Sequence, residues 1–400
     1  MAVNHEVQVG SATNPKVEPD SGTAVVSGTT PPTWTAERLA QLQLALVDGV
    51  GPRTRQLLLE YFGTAEAVFA ARLEQLSRVT GIGPKLSRRI CNAPRELDID
   101  GELDACREHQ IAVILQGDAE YPRRLSEIPD PPGVLFVKGD LRSTDELAVA
   151  IVGTRHATYY GLQQSERLAS GLARAGFTVV SGLARGVDAA AHRGTLAAAG
   201  RTLAVLGCGF LRMYPPEHEE LAYAITQQGA VISESPPRRP PMSGLFPQRN
   251  RVITGLSLGV IVIEAGQRSG ALVSARHGME QGREVFALPG RVDNRMSYGC
   301  HQLLRDGAHL VENVDDVITA LGPLAIPAPT TTGRELRHPA ELTLSEHEQQ
   351  LLDVIETTPQ TIDRIASRSK LPIPSVLATL SVLEMRRLIR RLSGSLVVRV

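Results

Sequence analysis

The sequence predicts an α/β fold: an extended parallel sheet with helices on both faces, flanked by an N-terminal helical domain and a C-terminal winged-helix domain. Through residues 106–322, short β-branched runs alternate with helical segments. Continuous apolar strands separated by helices are typical of a parallel sheet that is covered on both faces. The regions on either side, 35–105 and 343–400, have mainly helical periodicity.

Composition divides the remaining chain into a tail and a linker. Residues 1–34 mix Ser, Thr, Gly, Pro and Val without a period, which predicts a disordered tail. Residues 323–342 are rich in Pro and Thr, which predicts a linker. The predicted domains are therefore 35–105, 106–322 and 343–400.

The N-terminal helical domain contains the same short element twice. Gly49-Val50-Gly51-Pro52 and Gly81-Ile82-Gly83-Pro84 each separate two amphipathic stretches. Such turns resemble helix–hairpin–helix elements, whose amide N–H groups can bind a DNA phosphate, although degenerate copies serve only for packing. Both roles remain open for this domain.

Eight strands are predicted in the central domain, with four helices between them. The strands are 111–115, 134–138, 149–153, 178–181, 203–206, 230–233, 260–264 and 284–287, and the helices are 161–175, 188–199, 217–228 and 271–281.

The C-terminal region predicts helices at 345–356, 361–367 and 374–386, followed by strands at 388–392 and 396–400. Three helices before a two-stranded hairpin is the winged-helix order. The third helix is nearly all apolar or small, whereas a helix that reads the DNA major groove carries Arg, Asn or Gln. A protein contact, or nonspecific DNA contact through the basic hairpin, is therefore favoured.

Bulk composition excludes several classes of protein. No apolar run approaches the ~18 residues of a membrane span. The first thirty residues have no basic stretch followed by an apolar run, so no secretory signal is expected. The four cysteines form no zinc-ligand pattern. We therefore expect a cytoplasmic protein that has no membrane partner, no metal and no cofactor. Because the net charge is −1, any site for a polyanion must be local.

Two strand ends carry arginine beside glycine. Gly153-Thr154-Arg155 follows one predicted strand, and Ser181-Gly182-Leu183-Ala184-Arg185 leads from another strand into a helix. Ligands of open α/β sheets bind at the carboxyl ends of strands, and helix N-termini favour phosphate. Residues 151–212 contain seven arginines and two acidic residues, which also favours an anion.

A third signal is Phe246-Pro247-Gln248-Arg249-Asn250-Arg251, before the strand 260–264. Two arginines that bracket an asparagine offer a phosphate fork and an amide for a base edge; alternatively, the arginines fix a loop. Ser269-Gly270 forms a further strand-to-helix entry.

Other polar patterns in this domain favour structure over chemistry. Asp188 and His192 are four residues apart on one helical face, and we expect structural roles for both, because no nucleophile or metal accompanies them. Gly207-Cys208-Gly209 lacks the third glycine of a dinucleotide fingerprint, since Arg212 stands there, so NAD binding is not expected.

Together these residues resemble the DNA-processing protein A (DprA/Smf) family. The resemblance extends through the motifs Ile151-Val152-Gly153-Thr154-Arg155, Ser181-Gly182-Leu183-Ala184-Arg185-Gly186, Tyr214-Pro215, Arg249-Asn250-Arg251, Ser269-Gly270 and Pro289-Gly290, and it is dense over 106–310. It implies an extended Rossmann-like fold with a SAM-like helical domain and a winged helix. A turn that ends in asparagine in the family ends here in His301.

The resemblance also implies a function. It implies a nonenzymatic homodimer that binds single-stranded DNA, protects it, and loads RecA recombinase onto it during natural transformation. The DNA-binding candidates are Gly153, Arg155, Ser181, Gly182, Arg185, Arg249, Asn250, Arg251, Ser269 and Gly270.

Two alternatives to single-stranded DNA binding belong to other functional classes, an enzyme and a transcription factor. A nucleotide phosphoribohydrolase on a similar fold would use Glu264 as its catalytic carboxylate, but the glycine-rich turn of such enzymes is incomplete at Pro289-Gly290-Arg291. A transcription factor would bind duplex DNA through the winged helix, which the apolar third helix disfavours.

Overall fold

The computed structural model describes residues 34–324, 327–330, 333–392 and 395–400. The predicted tail, apart from Trp34, lies outside the described residues. Within them, no helix is both long enough and apolar enough to span a membrane.

The N-terminal domain is a cluster of short helices. They are α1 (Ala36–Leu46), α2 (Pro52–Phe62), α3 (Ala65–Ala70), α4 (Leu73–Leu76), α5 (Pro84–Glu96) and α6 (Ile99–Glu108). Both hairpins form as the sequence indicates. Gly49 and Gly81 have φ values of +93° and +85°, which favour glycine, and Pro52 and Pro84 begin α2 and α5, where a missing N–H costs nothing.

The N-terminal domain packs against the first strands of the central sheet. Leu42 and Leu103 share an apolar cluster with Ile111 and Phe136. Beside this cluster, the buried Arg55 donates a 2.6 Å hydrogen bond from Nη1 to Gln116. The hairpins therefore have a fixed position relative to the central domain.

The central sheet has nine strands within the described residues. In chain order they are β1 (Ala112–Leu115), β2 (Val134–Gly139), β3 (Ala148–Val152), β4 (Thr178–Ser181), β5 (Thr202–Leu206), β6 (Ala230–Ser233), β7 (Gly259–Val262), β8 (Glu284–Ala287) and β9 (His309–Leu310). Their spatial order is β1-β2-β6-β5-β4-β3-β7-β8-β9. All eight predicted strands are present, and β9 is additional.

The predicted parallel sheet is confirmed, and it has an antiparallel edge that the sequence did not indicate. Strands β3 to β9 are parallel, whereas β1 pairs antiparallel with β2, and β2 pairs antiparallel with β6. An apolar run in the sequence indicates that a strand is buried on both faces, but it carries no information about strand direction. The antiparallel strands β1 and β2 could therefore not be distinguished from parallel ones.

Helices cover both faces of the sheet. They are α7 (Arg123–Ser126), α8 (Tyr159–Arg174), α9 (Val187–Ala197), α10 (Glu219–Gln228), α11 (Leu245–Gly255), α12 (Gly270–Glu280), α13 (Tyr298–Arg305) and α14 (Val314–Ala320), with single 3-10 turns at Ser143–Glu146, Phe210–Arg212, Pro216–His218 and Arg295–Ser297. Helices α8, α9, α10 and α12 match the predicted ones within two residues. Helix α11 was not predicted; it carries the third arginine signal.

The C-terminal domain has the predicted winged-helix order. Its elements are α15 (Glu346–Val354), β12 (Gln360–Thr361), α16 (Ile362–Ser369), α17 (Ile373–Met385), β13 (Ile389–Leu392) and β14 (Leu396–Arg399). Residues 393–394 of the hairpin turn lie outside the described residues.

The predicted linker is not a free tether where it is described. It forms a two-stranded hairpin, β10 (Ala328–Pro329) and β11 (Glu335–Leu336), and a 3-10 turn, Pro339–Thr343. Ala328, Leu336 and Ala340 are buried in one apolar cluster that also contains Leu168 of α8 and Leu380 of α17. The central and winged-helix domains therefore share a continuous core.

Candidate nucleic-acid interface

A cleft of about 670 Å³ opens at the carboxyl ends of the parallel strands. Strand β3 lies between β4 and β7, so the chain proceeds from β3 towards one edge of the sheet and returns at β7 on the other side. Such a topological switch point is where open α/β sheets bind ligands. Gly153 and Arg155 follow β3 and line the cleft, opposite Ser269 and Gly270.

Arg155 presents an unengaged guanidinium to this cleft. Its side chain is exposed, and within the described part of the chain it has no hydrogen-bond or ion-pair partner. The guanidinium carbon lies 5.2 Å from the centre of the Phe246 ring, a cation–π distance. Arg155 is therefore available to a ligand anion and is already oriented by an aromatic face.

Arg185 lies beside the cleft, in a small adjoining pocket that Arg155 and Phe246 also line. Its Nε donates to Oε1 of Glu217 at 2.5 Å, and its Nη1 donates to the Tyr214 hydroxyl at 3.2 Å. Its guanidinium also lies 5.5 Å from the centre of the Tyr214 ring. The hydrogen bond from Arg185 lowers the pKa of Glu217, so this carboxyl is ionised at neutral pH.

Arg249 forms a positive floor of the cleft. It is only 6% exposed, and it donates from Nη1 to the carbonyl oxygen of Val205. Burial lowers its pKa to about 10, against the opposing attraction of Asp188, so the guanidinium stays charged at neutral pH. Its Nε has no hydrogen-bond partner.

Asp188 organises the turn above this floor. It accepts hydrogen bonds from the backbone N–H groups of Gly182, at 3.1 Å, and Ala184, at 3.4 Å. Burial raises its pKa, while the charge of Arg249 lowers it. His192 is buried, its Nδ1 lies 2.8 Å from Thr202 Oγ1, and burial lowers its pKa to about 3. These contacts are structural, as expected for both residues.

The remaining candidates divide between the cleft and the core. Asn250 lines the cleft, and its amide donates to the Gly270 carbonyl oxygen at 3.3 Å. Gly182 lines the adjoining pocket, where a Cβ atom would collide with Arg249 Nη1. Ser181 is buried, and its hydroxyl donates to the Ile151 carbonyl oxygen at 2.6 Å, so it supports the strand end without reaching the cleft.

The structure does not place Arg251 in the cleft. Its Nη2 donates to both carboxylate oxygens of Glu234 at 2.6 Å, and its Nε lies 3.3 Å from Asp130. Arg249 and Arg251 are two residues apart on α11 and therefore point to different sides of it. The expected two-arginine fork is wrong: one arginine reaches the cleft, and the other forms an ion pair.

Sequence reasoning missed two aromatic side chains of the cleft. Tyr214 and Phe246 line it with ring centres 5.8 Å apart in an edge-to-face arrangement, and each has an arginine over its face. Aromatic residues make up only 4% of the sequence, so composition gives no sign of a stacking platform. The available signal was local, because Tyr214-Pro215 belongs to the motifs that carry the resemblance and Phe246 begins the third arginine signal.

Glu264 is not arranged as a catalytic carboxylate. It is 1% exposed and accepts hydrogen bonds from Thr158 N at 2.8 Å, Thr158 Oγ1 at 2.6 Å and Asn294 at 3.4 Å. It therefore fixes the loop that carries Arg155. This structural role removes the residue on which the phosphoribohydrolase alternative depended.

His301 has a hydrogen bond where the family has asparagine. Its Nε2 lies 3.0 Å from the carbonyl oxygen of Gly290, and the contact joins α13 to the turn after β8. For metals, the described residues contain no group of three or more His, Cys, Asp or Glu side chains that could bind one ion.

Fold and cleft together define a Rossmann-type α/β protein with an arginine-lined cleft, flanked by a helix–hairpin–helix domain and a winged helix. Three family models match in the same order: a SAM-like helix-hairpin-helix tandem at residues 42–96, DNA recombination-mediator protein A at 112–322, and a DprA winged helix domain at 335–395. The chain belongs to the DNA recombination-mediator protein A family, whose members process DNA in recombination.

Individual relatives agree with this assignment. Protein Smf of Synechocystis is 33% identical over 390 residues, covering 90% of this chain and 98% of the relative. Protein Smf of Escherichia coli is 37% identical over 321 residues, covering 80% and 85%. The X-ray structure of DNA processing protein A from Streptococcus pneumoniae superposes with a TM-score of 0.61 at 35% identity, covering 72% of this chain and 98% of that one.

Proposed function

We propose that the cleft binds single-stranded DNA without catalysis, and that the chain protects this DNA and delivers it to RecA recombinase during recombination or natural transformation. The observation that carries the proposal is the convergence of Arg155, Arg185 and Arg249 around two aromatic rings. Guanidinium groups suit phosphates, and aromatic faces suit bases.

The aromatic rings favour an unpaired strand over a duplex. A base can stack on Tyr214 or Phe246 only after it has left its own helical stack, which costs little in single-stranded DNA and more in a duplex. The unengaged Arg155 and the partly exposed Arg185 can then contact adjacent phosphates of the same strand. No base-edge contact is required, so binding should tolerate many sequences.

The affinity for single-stranded and duplex forms of one labelled oligonucleotide tests this step by fluorescence anisotropy. We expect tighter binding of the single strand. Replacing Phe246 by Leu keeps an apolar side chain but removes the aromatic face, so it should weaken single-strand binding by about five- to hundredfold, the range for removal of one stacking platform. Equal affinity for both forms would contradict the proposal.

Delivery to RecA and homodimer formation are proposals that rest on family membership. RecA should bind the DNA-loaded chain in the cytoplasm, where both would meet the incoming strand. Light scattering of the purified chain across a concentration series measures dimer formation, and RecA filament assembly on protein-coated single strands measures delivery. A monomer at all concentrations, or no acceleration of filament assembly, would remove the corresponding part of the proposal.

A further inference from the structure

Helix α17, the third helix of the winged-helix domain, has a largely apolar exposed face. Its buried side contributes Val376, Leu380 and Leu383 to the core. On its outer side, Ile373, Leu377 and Met385 are 55%, 43% and 73% exposed. With Ser381, these residues recur every four positions and form one continuous row, which we call the α17 stripe.

The α17 stripe lacks the groups that a DNA-reading helix uses. Its single polar side chain, Ser381, already donates to the Leu377 carbonyl oxygen at 3.1 Å and accepts from Arg391 Nη2 at 2.9 Å. Base edges in the major groove are read mainly by amide, guanidinium or carboxylate groups. The four residues of the stripe carry none, and the neighbouring Glu384 and Arg391 are paired with each other. The row of large apolar side chains would remain unused against a duplex.

One cation contacts the stripe, and two others flank it along the chain. Lys370 precedes Ile373 by three residues, and Arg387 follows Met385 by two; both are exposed, and within the described residues neither has an ion-pair partner. Arg391 extends from β13 across the stripe, where its Nη2 lies 3.4 Å from the Leu377 carbonyl oxygen. Glu384, the one acidic residue of α17, is partly buried and lies 3.3 Å from Arg391 Nε.

We propose that the α17 stripe is a docking surface for an acidic segment of a partner protein that also carries apolar side chains. Apolar groups of the segment would cover Ile373, Leu377 and Met385, while its carboxylates would meet the surrounding cations. Such a combination buries the exposed row and neutralises the charge around it. A second copy of this chain is a poorer occupant, because it would bring the same cations face to face.

The test is selection of random peptides displayed on phage against the full-length chain, with counter-selection against the Leu377→Arg variant. Leu377 is exposed, so the variant should fold, and its melting temperature checks this. We expect the enriched peptides to combine Asp or Glu with Leu, Ile or Phe. Synthesised with a dye label, they should bind Leu377→Arg at least about tenfold more weakly, as for loss of a central apolar anchor.

Two further variants distinguish specific docking on the stripe from nonspecific peptide binding. Arg391→Gln keeps a donor for Ser381 but removes the charge, so it should weaken the acidic peptides and reduce the salt dependence of their binding. Tyr223→Arg, on the exposed side of α10, introduces the same charge elsewhere and should leave binding unchanged. The proposal is overturned if no peptide enriches, if basic peptides enrich, if Leu377→Arg binds equally well, or if Leu377→Arg instead abolishes duplex DNA binding or self-association. Because none of these residues lines the cleft, single-strand binding should stay intact throughout.

Discussion

Arg185 and Glu217 form a hydrogen-bonded ion pair beside the cleft, with 2.5 Å between Nε and Oε1 and with both side chains nearly half exposed. The carboxylate thus occupies the guanidinium edge that a DNA phosphate would use. A bound strand must displace Glu217 or share Arg185 with it, so this acidic residue competes with the ligand.

Replacing Glu217 by Gln should therefore tighten single-strand binding. The gain should be no more than severalfold, because exposed ion pairs are weak and screened by salt. Titrations at low and high salt measure it, with the larger gain expected at low salt. Glu220→Gln, an exposed acid on α10, is the matched control for net charge. Weaker binding by Glu217→Gln would mean that Glu217 positions Arg185 for DNA instead of competing with it.

Replacing Thr158 by Val should loosen the loop that carries Arg155. The hydroxyl donates to Glu264 and accepts from Gly161 N at 3.2 Å as the cap of α8. Its loss leaves a buried carboxylate oxygen short of a donor, which costs about 1–3 kcal/mol of the free energy of unfolding. Chemical denaturation measures this loss. Thr158→Ser, which keeps the hydroxyl, should restore most of it, and equal destabilisation by both variants would contradict the role assigned to the hydrogen bond.

Replacing Gly182 by Ala should disturb the cleft floor. The added methyl group would overlap the Arg249 guanidinium, which is held in the core and cannot move away freely. We expect destabilisation of about 1–3 kcal/mol, as for overpacked cores, together with weaker DNA binding. Gly244→Ala, where a Cβ atom meets nothing within 4 Å, is the control. Normal binding and stability of Gly182→Ala would show that Arg249 is not confined as described.

Stability should fall in acid partly because of His192. Burial lowers the pKa of this imidazole from 6.5 to about 3, so the folded state holds it neutral. As the pH falls, the unfolded chain therefore binds a proton at His192 before the folded chain does. The stabilising contribution is complete above pH 6.5 and is lost progressively as the pH falls towards 3. Unfolding free energies across this range should decline less steeply for His192→Gln than for the unaltered chain, and parallel declines would contradict the assignment.

Much of the fold could be predicted from the sequence because strand and helix periodicities in the central domain are strong. The cleft was predicted less completely. Glycines and arginines at strand ends located Arg155 and Arg185, since in a parallel sheet those ends share an edge. The position of Arg251 could not be predicted, because its partners Glu234 and Asp130 come from other segments of the fold. Helix α11 was also not predicted. In a loop, Arg249 and Arg251 could both reach the cleft, whereas on a helix two residues that are two positions apart point to different sides.

The packed state of the predicted linker illustrates a similar limit. Its Pro and Thr content suggested an open chain, yet Ala328, Leu336 and Ala340 enter the shared core. Leu324 and Leu342 pack against the same cluster, so the contact depends on a few apolar residues scattered among Pro and Thr, which do not stand out in composition. The apolar third helix of the winged-helix domain, by contrast, was visible in the sequence, and its exposed stripe became evident only once the buried side was known.

The affinity of Arg155→Ala for single-stranded DNA, measured across a salt series, tests the central claim most directly. We predict weaker binding to oligonucleotides of every sequence and a smaller slope of log affinity against log salt, by about 0.7 for each phosphate that the variant no longer neutralises. Arg305→Ala removes an exposed arginine outside the cleft and should change neither quantity. Unchanged affinity and slope for Arg155→Ala would show that single-stranded DNA does not bind in this cleft.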